Sequence, residues 1–142
     1  MPGADRAPIL IIVGASLRAE RVDRPLAYRL REHLLRWMDD ADREGADVVV
    51  CTDLWYLHDD SLHDCWGVAV GPPERNAVTA RSETHTPGAL IIDGALTIRF
   101  DVELDQRMAS CWGTGDAQTA TAIDAFAERY VGQFMMAAIG AG

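Results

Sequence analysis

Four short apolar runs lie along the chain, and each is followed by small and polar residues. The runs cover residues 9–13, 48–51, 68–70 and 109–112. Unbroken apolar runs of this length are typical of parallel strands that are buried on both faces of a sheet. Because the carboxyl ends of parallel strands meet at one edge, we expect the segments after these runs to form a common rim, which is where open α/β sheets bind ligands.

Apolar residues between the first two runs recur at helical spacing and predict a long helix. Pro25 suits its first turn, so Asp23 or Arg24 is the expected N-cap, and Gly45 suits a left-handed cap at the far end. A strand, a helix and a second strand make a βαβ unit, whose crossover is almost always right-handed. The buried stripe of this helix is expected to contain Leu26, Leu30, Leu34, Trp37, Met38 and Ala41.

The rest of the chain continues to alternate strands and helices. This alternation predicts a three-layer, Rossmann-like α/β sandwich in a single domain, residues 1–142. The two strands around Gly94 are expected to form an antiparallel hairpin at one edge of a mostly parallel sheet. In order, the predicted elements are a short helix or ordered loop at 53–64, a strand at 66–70, one or two helical turns at 74–83, strands at 89–93, 95–101 and 107–112, and a helix from about 116 to 139.

Charge and hydropathy narrow the class of partner. The net charge of −9 argues against nucleic acid and against acidic membrane surfaces, because both need a basic face. No apolar stretch approaches the roughly 18 residues of a membrane helix. No apolar segment typical of a signal peptide follows the first residues. We therefore expect a cytoplasmic protein whose ligand, if it is anionic, is small.

Arginine accounts for all 13 residues of the Lys and Arg class, and lysine is absent. Without lysine no Schiff base can form, which excludes pyridoxal phosphate enzymes and lysine aldolases, and the Walker P-loop is excluded as well. The cofactor, if there is one, stays unknown. Cys51, Cys65 and Cys111 lie in or beside apolar runs and are expected to be buried thiols rather than disulfides.

The candidate site residues follow the apolar runs. Asp53 can act as a carboxylate nucleophile or base, bind a ribose hydroxyl, or cap the next helix. Asp116 precedes the last helix, whose N-terminus offers N–H groups to an anion unless Asp116 caps them. The predicted ligand-binding residues are Gly14, Ser16, Asp53, Gly71, Asn76, Thr79, Gly113 and Thr114.

Three arginines follow the first run, at Arg18, Arg21 and Arg24. Their guanidinium groups can pair with a phosphate or a carboxylate at two points, or with the surface carboxylates of the chain itself.

Three functional hypotheses follow. The first is binding of a small anionic metabolite, such as a nucleotide or phosphosugar, at the carboxyl rim, either alone or with hydrolysis or glycosyl transfer by Asp53 and Asn76. The second is a non-enzymatic module that self-associates or docks a partner through an apolar patch, which Met135 and Met136 would extend. The third is a metal-dependent enzyme using His58 and His63, although their spacing does not place both on one helix face.

Overall fold

The computed structural model of the protein describes residues 7–43 and 46–140. The strands are β1 Ile9–Val13, β2 Val48–Thr52, β3 Gly67–Val70, β4 Gly88–Ile92, β5 Leu96–Arg99 and β6 Met108–Gly113. The α-helices are α1 Arg24–Asp40, α2 Asp53–His58, α3 Ala77–His85, α4 Asp116–Arg129 and α5 Val131–Met135. Shorter helical segments are the π-helical Ala19–Asp23 and Met136–Gly140 and the 3₁₀ turn Asp60–Leu62.

The strands form one six-stranded mixed sheet in the order β2-β1-β3-β6-β5-β4. The first four strands in this order are parallel, because the buried β1 pairs with β2 and β3, and β3 pairs with β6. β5 runs antiparallel to both β6 and β4, so the hairpin around Gly94 lies at one edge. The predicted α/β fold, with a mostly parallel sheet and an antiparallel edge hairpin, is therefore confirmed.

Two apolar clusters, one on each side of the sheet, hold the helices in place. Alternate residues of β1 divide between them: Ile9, Ile11 and Val13 belong to the larger cluster, and Leu10 and Ile12 to the smaller. The larger cluster includes side chains of α1, α4 and α5, and the smaller one includes side chains of α2 and α3. This alternation is the two-residue period of a strand that is buried on both faces.

The first helix starts earlier than predicted. The chain is helical from residue 17 to residue 40, with the π-helical Ala19–Asp23 ahead of α1. Asp23 precedes α1 as expected, but its backbone is helical and its side chain makes no capping hydrogen bond. At the other end, Asp42 has a left-handed backbone with φ of 52°, and the predicted cap Gly45 lies outside the described residues.

The C-terminal helix is interrupted where one continuous helix was predicted. Tyr130 separates α4 from α5 with φ −125° and ψ −12°, and its hydroxyl donates to the carbonyl of Ala89 at 3.2 Å. The bend lets Phe126 and Phe134 pack edge-on, with ring centroids 5.7 Å apart. It also buries Met135 completely, so the predicted surface patch of two methionines is wrong and only Met136 is exposed.

Within the described ranges, none of the helices has both the length and the apolar character needed to cross a membrane.

Candidate functional site

The carboxyl ends of β2, β1, β3 and β6 lie side by side along one edge of the sheet, as the sequence predicts. β2 lies on one side of β1 and the next strand, β3, lies on the other, so the direction of winding reverses at β1. In open α/β sheets such a reversal creates a crevice above the two strands, and ligands bind there.

Asn76 occupies this crevice between β1 and β3. Its Nδ2 donates to the carbonyl of Ile12 at 2.9 Å and to that of Val70 at 3.0 Å, which ties the two strand ends together. Its Oδ1 accepts from the N–H groups of Val78 and Thr79 at 3.0 and 3.2 Å and caps α3. All the strong hydrogen-bonding capacity of this buried amide is therefore used within the fold.

The loop after β3 also presses against the end of β1. A Cβ added to Gly14 would lie 1.9 Å from the carbonyl oxygen of Arg75, so only glycine fits there. Gly71 has φ of +112°, and a Cβ on it would lie 2.7 Å from Oδ2 of Asp23. Close packing therefore accounts for glycine at both of these predicted ligand positions.

Asp53 connects the end of β2 to the start of α3. Its Oδ2 accepts from the N–H of Ala77 at 2.9 Å, which places a carboxylate at the start of α3 as well as of α2. Its Oδ1 is buried and has no partner among the described residues, and the same is true of Oγ1 of Thr79. Asp53 is 6% exposed, so a ligand at the rim can reach little of its side chain.

The end of β6 is closely packed as well. A Cβ on Gly113 would lie 2.3 Å from Cβ of Gln118, and its N–H donates to Oγ1 of Thr119 at 3.0 Å. Thr114 is exposed, and its N–H donates to the carbonyl of Ala95 at 3.0 Å. Of the eight residues predicted to bind a ligand, Ser16 and Thr114 are the exposed ones.

Two helices that begin at this edge leave backbone donors open. Ser16 Oγ accepts from Ala19 at 3.2 Å, but the N–H groups of Leu17 and Arg18 make no hydrogen bond with any described residue. α4 begins without a side-chain cap, so of the two alternatives for Asp116 the one in which it caps this helix is wrong. Arg18 Nη2 lies 3.9 Å from Oδ2 of Asp116, which brings these two helix starts together above β3.

A cavity lies elsewhere in the described part of the chain, on the face covered by α2 and α3. It has a volume of about 350 Å³ and lies near the amino ends of β3 and β6. None of the eight predicted rim residues lines it; its wall includes Tyr56, Cys65, Val78, Arg81, Ser82 and Met108.

A sequence signal for this cavity existed. Val78, Arg81, Ser82 and His85 are spaced i, i+3, i+4 and i+7, which places them on one face of a helix. One or two helical turns at 74–83, as predicted, are too short to define a polar face. The observed α3, Ala77–His85, is long enough to have one.

Packing limits the reactivity of His63 and Cys65, two residues that line the cavity. His63 Nε2 donates to the carbonyl of Tyr56 at 2.9 Å, and its ring lies 4.7 Å from the Tyr56 ring. Burial raises the pKa of Cys65, and the negative charge of Asp64 raises it further, so this thiol is a poor nucleophile at neutral pH. Within residues 7–43 and 46–140, no three side chains of the His, Cys, Asp and Glu class form a group that could hold a metal.

No model of a known protein family matches the sequence, and no curated protein matches it either, so function has to be inferred from the geometry.

Proposed function

We propose that the protein binds a small metabolite carrying a phosphate or carboxylate, such as a nucleotide or phosphosugar, at the rim between β1 and β6. The observation that carries this proposal is the uncapped start of α4 beside the exposed Arg18. The helix starts at residue 17, at α2 and at α3 are capped by Ser16, by Thr52 and by Asn76 with Asp53. The start of α4 has no side-chain cap, and the positive end of its helix dipole favours an anion.

Arg18 supplies the charge that backbone donors lack. Its contact with Asp116 is long, at 3.9 Å, and both side chains are more than half exposed, so the pair contributes little to stability. A bound phosphate would offer Arg18 two charge-assisted hydrogen bonds, which are stronger than this contact.

Exposed apolar side chains at the same edge favour a ligand with a flat or apolar body. Leu17 precedes Arg18, and Leu54 and Trp55 follow β2, the strand next to β1. An exposed indole can stack on a planar ring such as a nucleobase. The proposal is limited to binding, because Asp53 is buried and one of its carboxylate oxygens already bonds Ala77.

The test is an amide ¹H–¹⁵N NMR titration with AMP, glucose 6-phosphate and, as an uncharged control, adenosine. We expect both phosphate compounds to shift the Leu17 and Arg18 signals saturably, and adenosine to bind at least about tenfold more weakly, the ratio expected for charge-assisted hydrogen bonds. Arg18→Ala should weaken AMP binding to a similar degree.

Arg36→Ala is the matched control, since Arg36 is exposed on the same helix, about 27 Å from Arg18 at 1.5 Å per residue. Equal weakening by both substitutions, or no saturable shift at residues 17 and 18, would reject the rim as the binding site.

The edge strand β4 favours self-association as a second candidate function. Ile91 and Ile92 are 53% and 48% exposed, and Gly88–Ile92 carries no charged residue. Edge strands of sheets are commonly protected by charged residues against pairing with another chain. Because β4 has none, it is suited to antiparallel pairing with β4 of a second copy. Light scattering should then show dimers that the double substitution Ile91→Lys and Ile92→Lys dissociates, whereas Val102→Lys, at another exposed apolar position, leaves them intact. A monomer at millimolar concentration would exclude this candidate.

A further inference from the structure

We infer that the cavity between α2 and α3 is a second binding site, separate from the rim, and that it takes a small organic carboxylate with an apolar body. The donors for the carboxylate are Tyr56, Arg81 and Ser82, and the apolar body lies against Val78 and Met108. This inference does not depend on the rim proposal, because the two sites share none of these residues.

Two buried hydroxyl groups in the cavity wall lack partners. Ser82 is 3% exposed and Tyr56 is 8% exposed, and neither hydroxyl makes a hydrogen bond with any residue of the ranges 7–43 and 46–140. Neither oxygen is among the fully enclosed side-chain atoms that lack a partner, so both reach solvent, and both residues line the cavity. A carboxylate in the cavity would replace water as the acceptor for these hydroxyls.

Arg81 places a positive charge beside these hydroxyls. It precedes Ser82 on α3, and its guanidinium forms no ion pair or side-chain hydrogen bond with the described residues. Burial raises the pKa of Tyr56, while the charge of Arg81 opposes this rise, which is the effect of a guanidinium close to the phenol. A guanidinium and two hydroxyls are all able to donate, and a carboxylate accepts from several donors at once.

The rest of the wall determines the class of ligand. Val78 and the half-buried Met108 provide apolar surface, and a volume of about 350 Å³ is at the small end of the range for ligand pockets. Asp64, Asp105 and Arg107 also line the cavity and are exposed. With Arg81 the wall carries two arginines and two aspartates, so its fixed charges balance. The aspartates oppose a dianionic phosphate more strongly than a singly charged carboxylate, so a carboxylate is favoured.

Tyr56 is held in place by contacts that do not involve its hydroxyl. Its ring lies against the His63 ring at an interplanar angle of 37°, and its carbonyl accepts from Nε2 of His63. Tyr56→Phe should therefore leave the fold and the thermal stability unchanged, which makes it a clean test of the hydroxyl.

The experiment uses benzoate as the probe, with benzamide as its uncharged counterpart and inorganic phosphate as the competing anion. Binding is followed by ¹H–¹³C NMR of the Val78 and Met108 methyl groups. We expect benzoate to shift both signals saturably, and benzamide and phosphate to bind at least about fivefold more weakly. Tyr56→Phe and Arg81→Gln should each weaken benzoate by a similar factor, with Arg36→Gln as the matched control that has no effect.

Four outcomes would overturn the inference: no saturable shift with benzoate, equal binding of benzamide, stronger binding of phosphate, or unchanged affinity in both cavity variants. If benzoate moves the amides of residues 17 and 18 but not the two methyl groups, it binds at the rim, and the cavity inference fails while the rim proposal stands.

Discussion

Arg75 binds the carboxylate of Asp23 at two points. Its Nε lies 2.9 Å from Oδ2 and its Nη2 lies 2.8 Å from Oδ1, and the Asp23 side chain is fully buried. This pair joins the loop after β3 to the π-helical segment before α1, residues that are far apart in the chain. It thereby holds two of the loops that form the carboxyl rim.

Loss of this ion pair should be costly. Asp23→Ala leaves the partly buried guanidinium of Arg75 without its partner, and removing one member of a buried pair typically costs about 3 kcal/mol or more of the free energy of unfolding. Urea denaturation measures the loss. Glu20→Ala removes the partly exposed partner of Arg24 and should cost at most about 1 kcal/mol. Similar losses in the two variants would contradict this view of the pair.

Asn76→Asp should destabilise the protein although aspartate caps helices as well as asparagine does. The substitution keeps the acceptor for Val78 and Thr79, but it replaces the Nδ2 donor by an oxygen that faces the carbonyls of Ile12 and Val70. We expect a loss of about 2 kcal/mol or more, since two buried acceptors lose their donor. If chemical denaturation shows Asn76→Asp to be as stable as the wild type, the amide does not join the strands in solution.

Gly14→Ala should disturb the contact between β1 and the loop after β3. The new Cβ would lie 1.9 Å from the carbonyl oxygen of Arg75, a backbone atom that cannot turn aside, so a loss of about 1–3 kcal/mol or more is expected. Gly94→Asn is the comparison, because nothing lies within 4 Å of a Cβ there and asparagine tolerates its φ of +70°. A lower melting temperature for Gly94→Asn than for Gly14→Ala would refute the prediction.

The salt bridge between α1 and α4 predicts a pH dependence of stability. Asp124 accepts from Nε of Arg29 at 2.9 Å and contacts Nε2 of His33 at 3.2 Å, and the hydrogen bond from Arg29 is the main reason that the pKa of Asp124 is lowered. A carboxyl with a lowered folded-state pKa stabilises the fold above its unfolded pKa of about 3.9, and this contribution disappears as the pH falls through the folded value.

Asp124→Asn should therefore be less stable than the wild type at pH 7, by no more than about 1 kcal/mol because the pair is partly exposed. The difference should vanish in acid below the lowered pKa. A difference that stays constant from pH 7 into that range would show that the carboxylate charge is not its cause.

The three thiols should differ in their reaction with iodoacetamide. Burial raises the pKa of Cys51 to about 11 and raises the pKa of the fully buried Cys111 as well, so little thiolate exists at pH 8. Cys65 also has a raised pKa, but it lines the cavity between α2 and α3, through which the reagent can reach it. Peptide mass spectrometry should find Cys65 modified before the other two, and all three rates should increase with pH. Modification of Cys111 first in the native protein would contradict the packing described.

Much of the fold follows from local sequence patterns. The buried strands β1, β3 and β6 begin and end within one or two residues of the apolar runs that predict them, because a strand buried on both faces requires apolar residues at consecutive positions. The half-buried edge strand β2 matches its run equally closely. The edge hairpin around Gly94 was predicted from alternation in β5, where Leu96 and Ile98 face the core. The sequence also predicts which loops share an edge of the sheet, because the carboxyl ends of parallel strands all point to the same edge.

What those loops do depends on contacts between residues that are distant in the chain. The sequence predicts Asp23 as a helix cap, whereas in the folded protein its carboxylate binds Arg75. The amide of Asn76 likewise reaches the carbonyl of Ile12, 64 residues away. The cavity beside Arg81 requires α2, α3 and the start of β6 to meet. Sequence patterns indicate which residues of each segment are buried, and this periodicity is a local property of the chain. Close packing between segments alone determines which buried polar atoms find partners and which, like the hydroxyl of Ser82, find none among the described residues.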